Sequence, residues 1–236
     1  MGESINVCVP TGNFGNIFAA YIAKLMGLPI NKLICASNAN NVLTDFLRTG
    51  TYDRNRDFHL TMSPSMDILI SSNLERLLFF TAGAEKTAEY MKELNTVGKY
   101  TVDNNIKAII DENFVGYYAD ENATANTLAK FYNELGYLAD THTSVALHCA
   151  QTYLNESGDN KKIVVASTAS PYKFAADVYK SIAAKDASAD TGALDDLSAL
   201  TKTEITYPLK NLAQRKVNFD TVIEKDDMLS EVYKFM

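Results

Sequence analysis

The sequence INVCVPTGNFGN, residues 5–16, decides the first part of the fold, because an apolar run ends there in a loop with two glycines. An apolar segment, residues 17–26, follows at once, so the pattern predicts a strand, a tight loop and a helix. Gly12 and Gly15 allow the backbone to turn tightly, which brings several N–H groups towards one point beside the positive end of the helix dipole. Such a loop can bind phosphate, although the same glycines would also suit a purely structural corner.

This loop differs from two familiar phosphate-binding sequences. No Gly-Lys-Ser/Thr follows Gly15, which excludes the P-loop, and the glycine spacing does not match the dinucleotide-binding fingerprint. Gly27 and Pro29 then end the first helix, and residues 32–36 indicate a second strand. Strand, helix and strand at this spacing predict a βαβ unit with parallel strands.

The rest of the chain alternates predicted helices with a few short strands, which indicates an α/β layered fold. Strands are predicted at 117–118 and at 163–168, where residues 163–166 are apolar and rich in β-branched side chains. The charged residues 53–58 predict a loop. Helical spacing predicts helices at 41–47, 65–81, 84–94, 103–112, 124–135, 143–154, 171–184 and 226–234.

Composition and charge exclude several classes of protein. The chain has 236 residues, of which 47% are hydrophobic and 22% are charged, as in ordinary globular proteins. A net charge of −7 argues against a nucleic-acid or anionic-membrane partner, and no apolar stretch is long enough to span a membrane. Three cysteines without paired spacing indicate reduced thiols in a cytoplasmic protein. The three histidines are not spaced as metal ligands, so we expect no metal site.

Five ordered motifs together resemble threonine synthase, a pyridoxal-phosphate enzyme, over nearly the whole chain up to Phe219. The resemblance implies fold type II of these enzymes, a three-layer α/β fold with a mostly parallel sheet like that of tryptophan synthase β. It implies a catalytic region at 1–185 and a tail at 186–236 that packs on it. The motifs are VPTGNFGN at 9–16, ASNAN at 36–40, SPSMDI at 63–68 with SSNLERL at 71–77, DTHT at 140–143 and STASPYKF at 167–174.

The position of the loop near the start of the chain departs from the family. Threonine synthases carry, before this loop, an N-terminal part with the lysine to which the cofactor attaches. Here the first lysine is Lys24, already beyond the loop. The resemblance therefore implies a C-terminal piece of the enzyme, made by truncation, with no catalytic residue of its own and no activity alone. We expect the strand at 5–9 to lie on the face exposed by truncation, through which the chain could self-associate.

The resemblance also implies which residues bind the cofactor, pyridoxal 5′-phosphate. The loop of Gly12, Asn13, Phe14, Gly15 and Asn16 would hold the cofactor phosphate through its N–H groups, with the asparagine side chains as further donors. Thr168 would meet the pyridine nitrogen, with Ser167 as the fallback. The structural alternative is that this Ser/Thr pair caps the next helix.

Four further residues are candidates for the substrate side of the site. Arg76 offers a planar fork for phosphate, and Asn73 precedes it, but both could equally lie on a solvated helix face. Asp140 and His142 open a helix near the cofactor, where Asp140 or Thr141 could simply be the N-cap. Weaker candidates are more simply explained as strand-end, helix-surface or loop residues: Asn38, Asn40, Lys173, Arg54 and Arg56.

The resemblance implies that the parent enzyme, a lyase of threonine biosynthesis, converts O-phospho-L-homoserine and water to L-threonine and phosphate. Two alternatives stay open. One is a non-catalytic module that binds a phosphate ligand with the same loop. The other is a different fold-type-II lyase, such as a serine or threonine dehydratase, although the motifs at 63–77 and 140–143 favour threonine synthase. The expected partner is the small-molecule substrate, with no nucleic acid and no membrane.

Overall fold

The computed structural model describes residues 2–234, and a four-stranded parallel sheet forms its centre. The strand order is β5-β2-β1-β6, and each of the three neighbouring pairs is parallel. The predicted βαβ unit is confirmed, since β1 pairs with β2 from Ile5 opposite Ile30 to Pro10 opposite Ala36. The four strands are β1 (Ile5–Pro10), β2 (Ile30–Ser37), β5 (Phe114–Tyr118) and β6 (Ile163–Val165); β3 (Thr51–Asp53) and β4 (Lys99–Thr101) form a separate pair.

Helices cover both faces of the sheet, which gives the three layers of the expected α/β fold. Successive strand residues point to opposite faces: Cys8 packs with the long helix α7, whereas Val9 packs with α1 and its neighbours. The helices are α1 (Gly15–Leu25), α2 (Val42–Thr49), α3 (Leu74–Ala82), α4 (Ala84–Thr96), α5 (Asn104–Asn113), α6 (Glu121–Leu135), α7 (Thr141–Ser157), α8 (Ala175–Ala183), α9 (Gly192–Thr201) and α10 (Met228–Tyr233).

The antiparallel pair β3–β4 is not predicted from the sequence, which assigns Asp53 to a loop. Each of the two strands has three residues, too few for an alternating pattern to be recognised. Stacked tyrosines hold the pair instead. The Tyr52 and Tyr100 rings are parallel with centroids 5.5 Å apart, and the ring of Tyr90, on α4, lies 5.3 Å from that of Tyr100. The Tyr52 hydroxyl donates to the Leu69 carbonyl oxygen and so ties the pair to the segment that follows.

The predicted helix at 65–81 is wrong in its first half. A 3-10 turn spans Pro64–Met66, and α3 begins only at Leu74. The reason is that side chains distant in sequence bind this segment: the Asp67 carboxylate accepts hydrogen bonds from Asn38 and Asn40, and the Ser71 hydroxyl donates to the Gly12 carbonyl oxygen. These bonds hold residues 67–73 in an irregular path across the end of the sheet.

Two expectations about the sheet also need correction. The late strand predicted at 163–168 ends at Val165, so Ser167 and Thr168 lie in the loop beyond it. The strand expected at an exposed face, residues 5–9, is an interior strand, paired on both sides. The open edge on that side is β6 instead, where Val164 is 52% exposed.

The tail beyond residue 185 packs on the rest only in part. Ala193 and Leu197 of α9 are buried against Val178 of α8 and its neighbours, and α9 is a helix that the sequence pattern did not predict. The side chains of residues 215–230 are exposed. The final helix predicted at 226–234 is shorter, since a 3-10 turn at Lys225–Asp227 precedes α10. Among residues 2–234, no helix has the length and apolar character needed to cross a membrane.

Candidate functional site

A cavity of about 280 Å³ lies at the carboxyl end of β1, where the glycine loop turns into α1. Ligands bind at this end of the strands in open α/β sheets. The cavity brings together residues from four distant parts of the chain. It is lined by Pro10, Thr11, Gly12, Asn13, Phe14, Gly15, Asn16, Ser65, Met66, Asn73, His142 and Thr168.

The loop owes its shape to Phe14 as much as to its glycines. Phe14 has a left-handed backbone, with φ 64°, and acts as the N-cap of α1 without a side-chain hydrogen bond. A bulky residue is strained in this conformation, and such strain persists only where the surroundings hold it. The Phe14 ring is 1% exposed and packs 5.6 Å from the ring of Phe114, which anchors the loop to β5.

Two carbonyl groups of the loop accept hydrogen bonds from the segment that precedes α3. The Gly12 carbonyl oxygen accepts from the Ser71 hydroxyl at 2.7 Å, and the Asn13 carbonyl oxygen accepts from the Asn73 N–H at 3.1 Å. In contrast, the six N–H groups from Gly12 to Ile17 have no acceptor anywhere in residues 2–234. A helix start without a capping side chain leaves its first N–H groups free for an anion.

Gly12 is needed for space rather than for an unusual dihedral angle. A Cβ atom on Gly12 would lie 3.1 Å from the Met66 Cα and 3.1 Å from the Ser65 carbonyl oxygen, both of them backbone atoms. The turn at Pro64–Met66 therefore closes directly over the loop. At Gly15 the nearest atom would be the Asn73 Nδ2 at 3.3 Å, the end of a flexible side chain.

Asn38 and Asn40, the weak candidates after β2, hold this turn in place through Asp67. Both side chains are buried and donate to the Asp67 Oδ1, at 2.7 and 3.0 Å. The Thr61 hydroxyl donates to the same oxygen, and the Thr61 N–H donates to Oδ2. These asparagines are therefore structural supports of the cavity wall and do not line it.

Asp140 is the N-cap of α7, as the structural alternative expected, and His142 lines the cavity. Asp140 is 1% exposed and its Oδ1 accepts the N–H groups of His142 and Thr143. The His142 ring uses both nitrogens: Nδ1 lies 3.1 Å from Asp140 Oδ1, and Nε2 accepts the Ser65 N–H at 3.2 Å. Burial alone would raise the pKa of Asp140, but the hydrogen bonds from His142 and Thr143 hold that pKa below its ordinary value.

Thr168 reaches the cavity from the opposite side, in the loop after β6. Neither it nor Ser167 caps the next helical turn, because Ser170 does so by accepting the Tyr172 N–H. The Ser167 hydroxyl oxygen lies 3.4 Å from that of Thr143, which connects this loop to the start of α7. Thr168 is exposed, so its hydroxyl is accessible to a ligand in the cavity.

Of the remaining sequence candidates, one lines the cavity and the others lie outside its lining. Asn73 lines the cavity, whereas Arg76, two residues into α3, is exposed and does not line it. Lys173 is exposed, with its Nζ 5.3 Å above the Phe174 ring, as expected of a surface lysine. Arg56 forms an ion pair with Asp45, and Arg54 donates to the Asn95 carbonyl oxygen.

Apart from Pro10 and Thr11, which precede the loop, three contributors to the site were missed from the sequence: Ser65 and Met66, which line the cavity, and Ser71, which fixes the loop. The helix predicted over 65–81 concealed them, since it would have turned these residues away. No local signal argued against that helix, since Pro64 directly before Ser65 is also compatible with a helix start. Within residues 2–234, no group of three or more His, Cys, Asp or Glu could hold a metal ion.

The chain is similar to known proteins of one family. Residues 143–232 match the family model described as threonine synthase, C-terminal. The chain is 40% identical over 190 residues to threonine synthase of Saccharomyces cerevisiae and 39% identical over 188 residues to human threonine synthase-like 1. These matches cover 73% and 78% of this chain, but 37% and 25% of those proteins.

Solved structures extend the similarity over almost the whole chain. The crystal structure of the yeast threonine synthase matches with a TM-score of 0.84 and 32% identity, and covers 98% of this chain. A PLP-bound threonine synthase from Brucella melitensis matches with a TM-score of 0.79 and 34% identity, and covers 99% of this chain. The chain spans 47% and 46% of the length of those two proteins. It therefore belongs to the threonine synthase family and corresponds to the C-terminal part of its members.

Proposed function

We propose that the loop of residues 12–16 holds the phosphate group of pyridoxal 5′-phosphate. The observation that carries this proposal is the row of six N–H groups, from Gly12 to Ile17, without an acceptor in residues 2–234, which together form an anion cradle. The α1 dipole adds positive potential at the same point. None of the residues lining the cavity is acidic, so no fixed negative charge on the cavity wall opposes the anion. The side chains of Asn13 and Asn16 are exposed there and can donate further hydrogen bonds.

The other residues of the cavity would orient the cofactor ring and the substrate. The Thr168 hydroxyl would hydrogen-bond to the pyridine nitrogen, and Asn73 would bind the phosphate of the substrate. Arg76 is exposed on α3 and does not line the cavity, so it would reach that phosphate only from outside. Pyridoxal phosphate, when bound, supplies the electron sink for carbanion chemistry, which amino-acid side chains cannot provide. The chain itself contributes binding, orientation and a closed wall over the loop.

The whole protein would then be a threonine synthase of the cytoplasm, which converts O-phospho-L-homoserine and water to L-threonine and phosphate. The relatives named threonine synthase support this reaction, and the three buried free cysteines suit a reducing compartment. No lysine lines the cavity, so the nucleophilic amine that captures the cofactor aldehyde must come from elsewhere. We therefore expect the isolated chain to bind phosphate but to release none from O-phospho-L-homoserine.

Backbone amide NMR tests the binding step. Phosphate, sulfate and pyridoxal phosphate should each shift the amide signals of residues 12–17, whereas pyridoxal, which lacks the phosphate, should not. Shifts elsewhere with these six amides unmoved would refute the cradle.

Mixing tests the reaction. Phosphate release from O-phospho-L-homoserine should appear only when the lysine-bearing part of the yeast relative is added to this chain. Release by this chain alone, above a blank without protein, would show that this chain supplies the reactive amine itself.

A further inference from the structure

We propose that Asp140 and His142 form a positioning pair, which holds the Pro64–Met66 turn over the glycine loop and does not itself bind a ligand. This inference rests on the anion cradle proposed above. It assigns to the two residues a different role from the substrate contact that the sequence suggested. The evidence is the hydrogen bonding of the imidazole ring.

Both ring nitrogens of His142 already have partners within the protein. Because Nε2 accepts the Ser65 N–H, the neutral ring must carry its proton on Nδ1 and donate it to Asp140 Oδ1. The ring is 4% exposed and lies 4.6 Å from the Phe174 ring, which fixes its plane. A ligand in the cavity therefore meets the edge of a ring that has no free nitrogen to offer.

The Ser65 N–H has no acceptor other than His142 in residues 2–234. The neighbouring N–H groups of Met66 and Asp67 bond within the turn, and Asp67 anchors the end of the turn to Asn38 and Asn40. Within residues 2–234, His142 is therefore the acceptor that holds the N–H of Ser65, the residue whose carbonyl oxygen faces Gly12. Movement of Ser65 would open the wall that keeps the loop in its binding shape.

Asp140 extends the same support to the other wall. Its Oδ2 accepts from the Thr143 hydroxyl, and that hydroxyl oxygen lies 3.4 Å from that of Ser167, next to Thr168. One buried carboxylate thus connects the turn at Ser65, the start of α7 and the loop after β6. Buried polar groups joined in this way define a single arrangement of the walls.

Protonation of His142 gives the inference a distinctive signature. A second proton on the ring would place an Nε2–H donor against the Ser65 N–H donor, so the bond would be lost and the wall would open. A histidine that bound the anion directly would act in the opposite sense, because its positive charge would strengthen binding. The two roles therefore predict opposite changes in anion affinity on acidification.

Other charged groups on the elements around His142 must be separated from this effect. Lys173 is an exposed lysine whose Nζ lies 5.3 Å above the Phe174 ring. Asp67 lies on the turn, with its carboxylate bonded to Asn38, Asn40 and Thr61. Glu121, the first residue of α6, accepts the Met62 N–H, and burial raises its pKa, so it is a neighbouring group that gains a proton on acidification.

The test uses sulfate, whose charge does not change between about pH 5 and about pH 8, the range of histidine titration. In the unaltered chain, sulfate affinity at the residue 12–17 amides should fall between about two- and tenfold at the lower pH, the range for one hydrogen bond. His142→Gln keeps an acceptor near the Nε2 position and should bind sulfate with little change between the two pH values. His142→Leu should bind weakly at both, and Glu121→Gln should keep the pH response of the unaltered chain.

Two measurements without ligand keep this test separate from the cradle itself. Nitrogen-15 NMR of His142 should show the Nδ1–H tautomer at about pH 8. Hydrogen exchange of the Ser65 amide should lose protection on acidification more than that of Met66. Tighter sulfate binding at low pH, or an Nε2–H tautomer, would overturn the positioning role. Absence of sulfate binding at every pH, with the tautomer and exchange as expected, would refute the cradle and leave the pair intact.

Discussion

Replacement of Gly12 by alanine tests whether the turn at Pro64–Met66 closes over the loop as tightly as the structure indicates. The new Cβ would lie 3.1 Å from the Met66 Cα and the Ser65 carbonyl oxygen, against an optimal carbon–carbon separation of about 3.5–4.0 Å. The turn must therefore retreat by at least about 0.4 Å. Its end is bonded to Asn38 and Asn40 through Asp67, so this movement strains a held segment.

The expected cost of Gly12→Ala follows from two opposing effects. Overpacking of this kind destabilises by about 1–3 kcal/mol, and the reduced freedom of the unfolded chain returns about 0.4–1 kcal/mol. The backbone at Gly12 is not left-handed, so alanine adds no dihedral strain. The free energy of unfolding should thus fall by about 1–2 kcal/mol.

Gly15→Ala is the matched control on the same loop. Its Cβ would meet the Asn73 side chain, with Nδ2 at 3.3 Å, and that side chain can move aside. Alanine also favours the first turn of α1, so the free energy of unfolding should change by less than about 0.5 kcal/mol. Urea unfolding followed by circular dichroism measures both variants. Equal losses in the two, or no loss in Gly12→Ala, would show that the turn is not in close contact with the loop.

Three further predictions concern the loop, the base of the sheet and its open edge. Phe14→Ala should lower the free energy of unfolding by about 3–5 kcal/mol, and Phe14→Gly by about 1 kcal/mol less, since φ 64° strains alanine but not glycine. If urea unfolding showed the alanine variant to be more stable than the glycine variant, the left-handed backbone would be contradicted. Hydrogen bonds from the Asn6 amide, the Lys161 N–H and the Tyr153 hydroxyl hold the pKa of Asp159 below its ordinary value, so the stability they give is present above the unfolded-state pKa and is lost as the pH drops towards the folded-state pKa. Asp159→Asn should therefore weaken the fall of the urea midpoint between about pH 6 and about pH 3, and an unchanged fall would refute this. We also expect concentration-dependent association through the β6 edge, which Val164→Lys should reduce in light scattering and Val217→Lys on the exposed tail should not; equal effects would place the contact elsewhere.

The elements that follow local rules could be predicted from the sequence. The first strand, the glycine loop and the first helix are confirmed, with the strand at Ile5–Pro10 and the helix starting at Gly15. Helices with clear boundaries, such as the one closed by Gly136, were also predicted to within a few residues. In these segments the apolar period, the glycine and the flanking polar residues all indicate the same structure.

The elements that depend on distant partners could not be predicted in this way. Ile68 and Leu69 have nearly helical spacing with Leu74 and Leu77, yet the backbone between them is irregular. What decides its path is Asp67, whose partners Asn38 and Asn40 lie 29 and 27 residues away. The same limit applies to His142, whose partner Ser65 is 77 residues away. The sequence could place His142 near the site but could not distinguish a ligand from a support.

The residues around the cavity show how the chain divides binding from chemistry. Twelve residues line it, and among these lining residues there is no lysine, cysteine, aspartate or glutamate. Both ring nitrogens of His142 are bonded within the protein. The lining residues therefore offer no amine, thiol or carboxylate for a reaction, whereas the free N–H groups, Thr168 and Asn73 can all hold polar groups of a ligand. It follows that this wall can fix an anion and orient what is attached to it, and that a reaction in the cavity must take its reactive amine from a group outside these twelve residues.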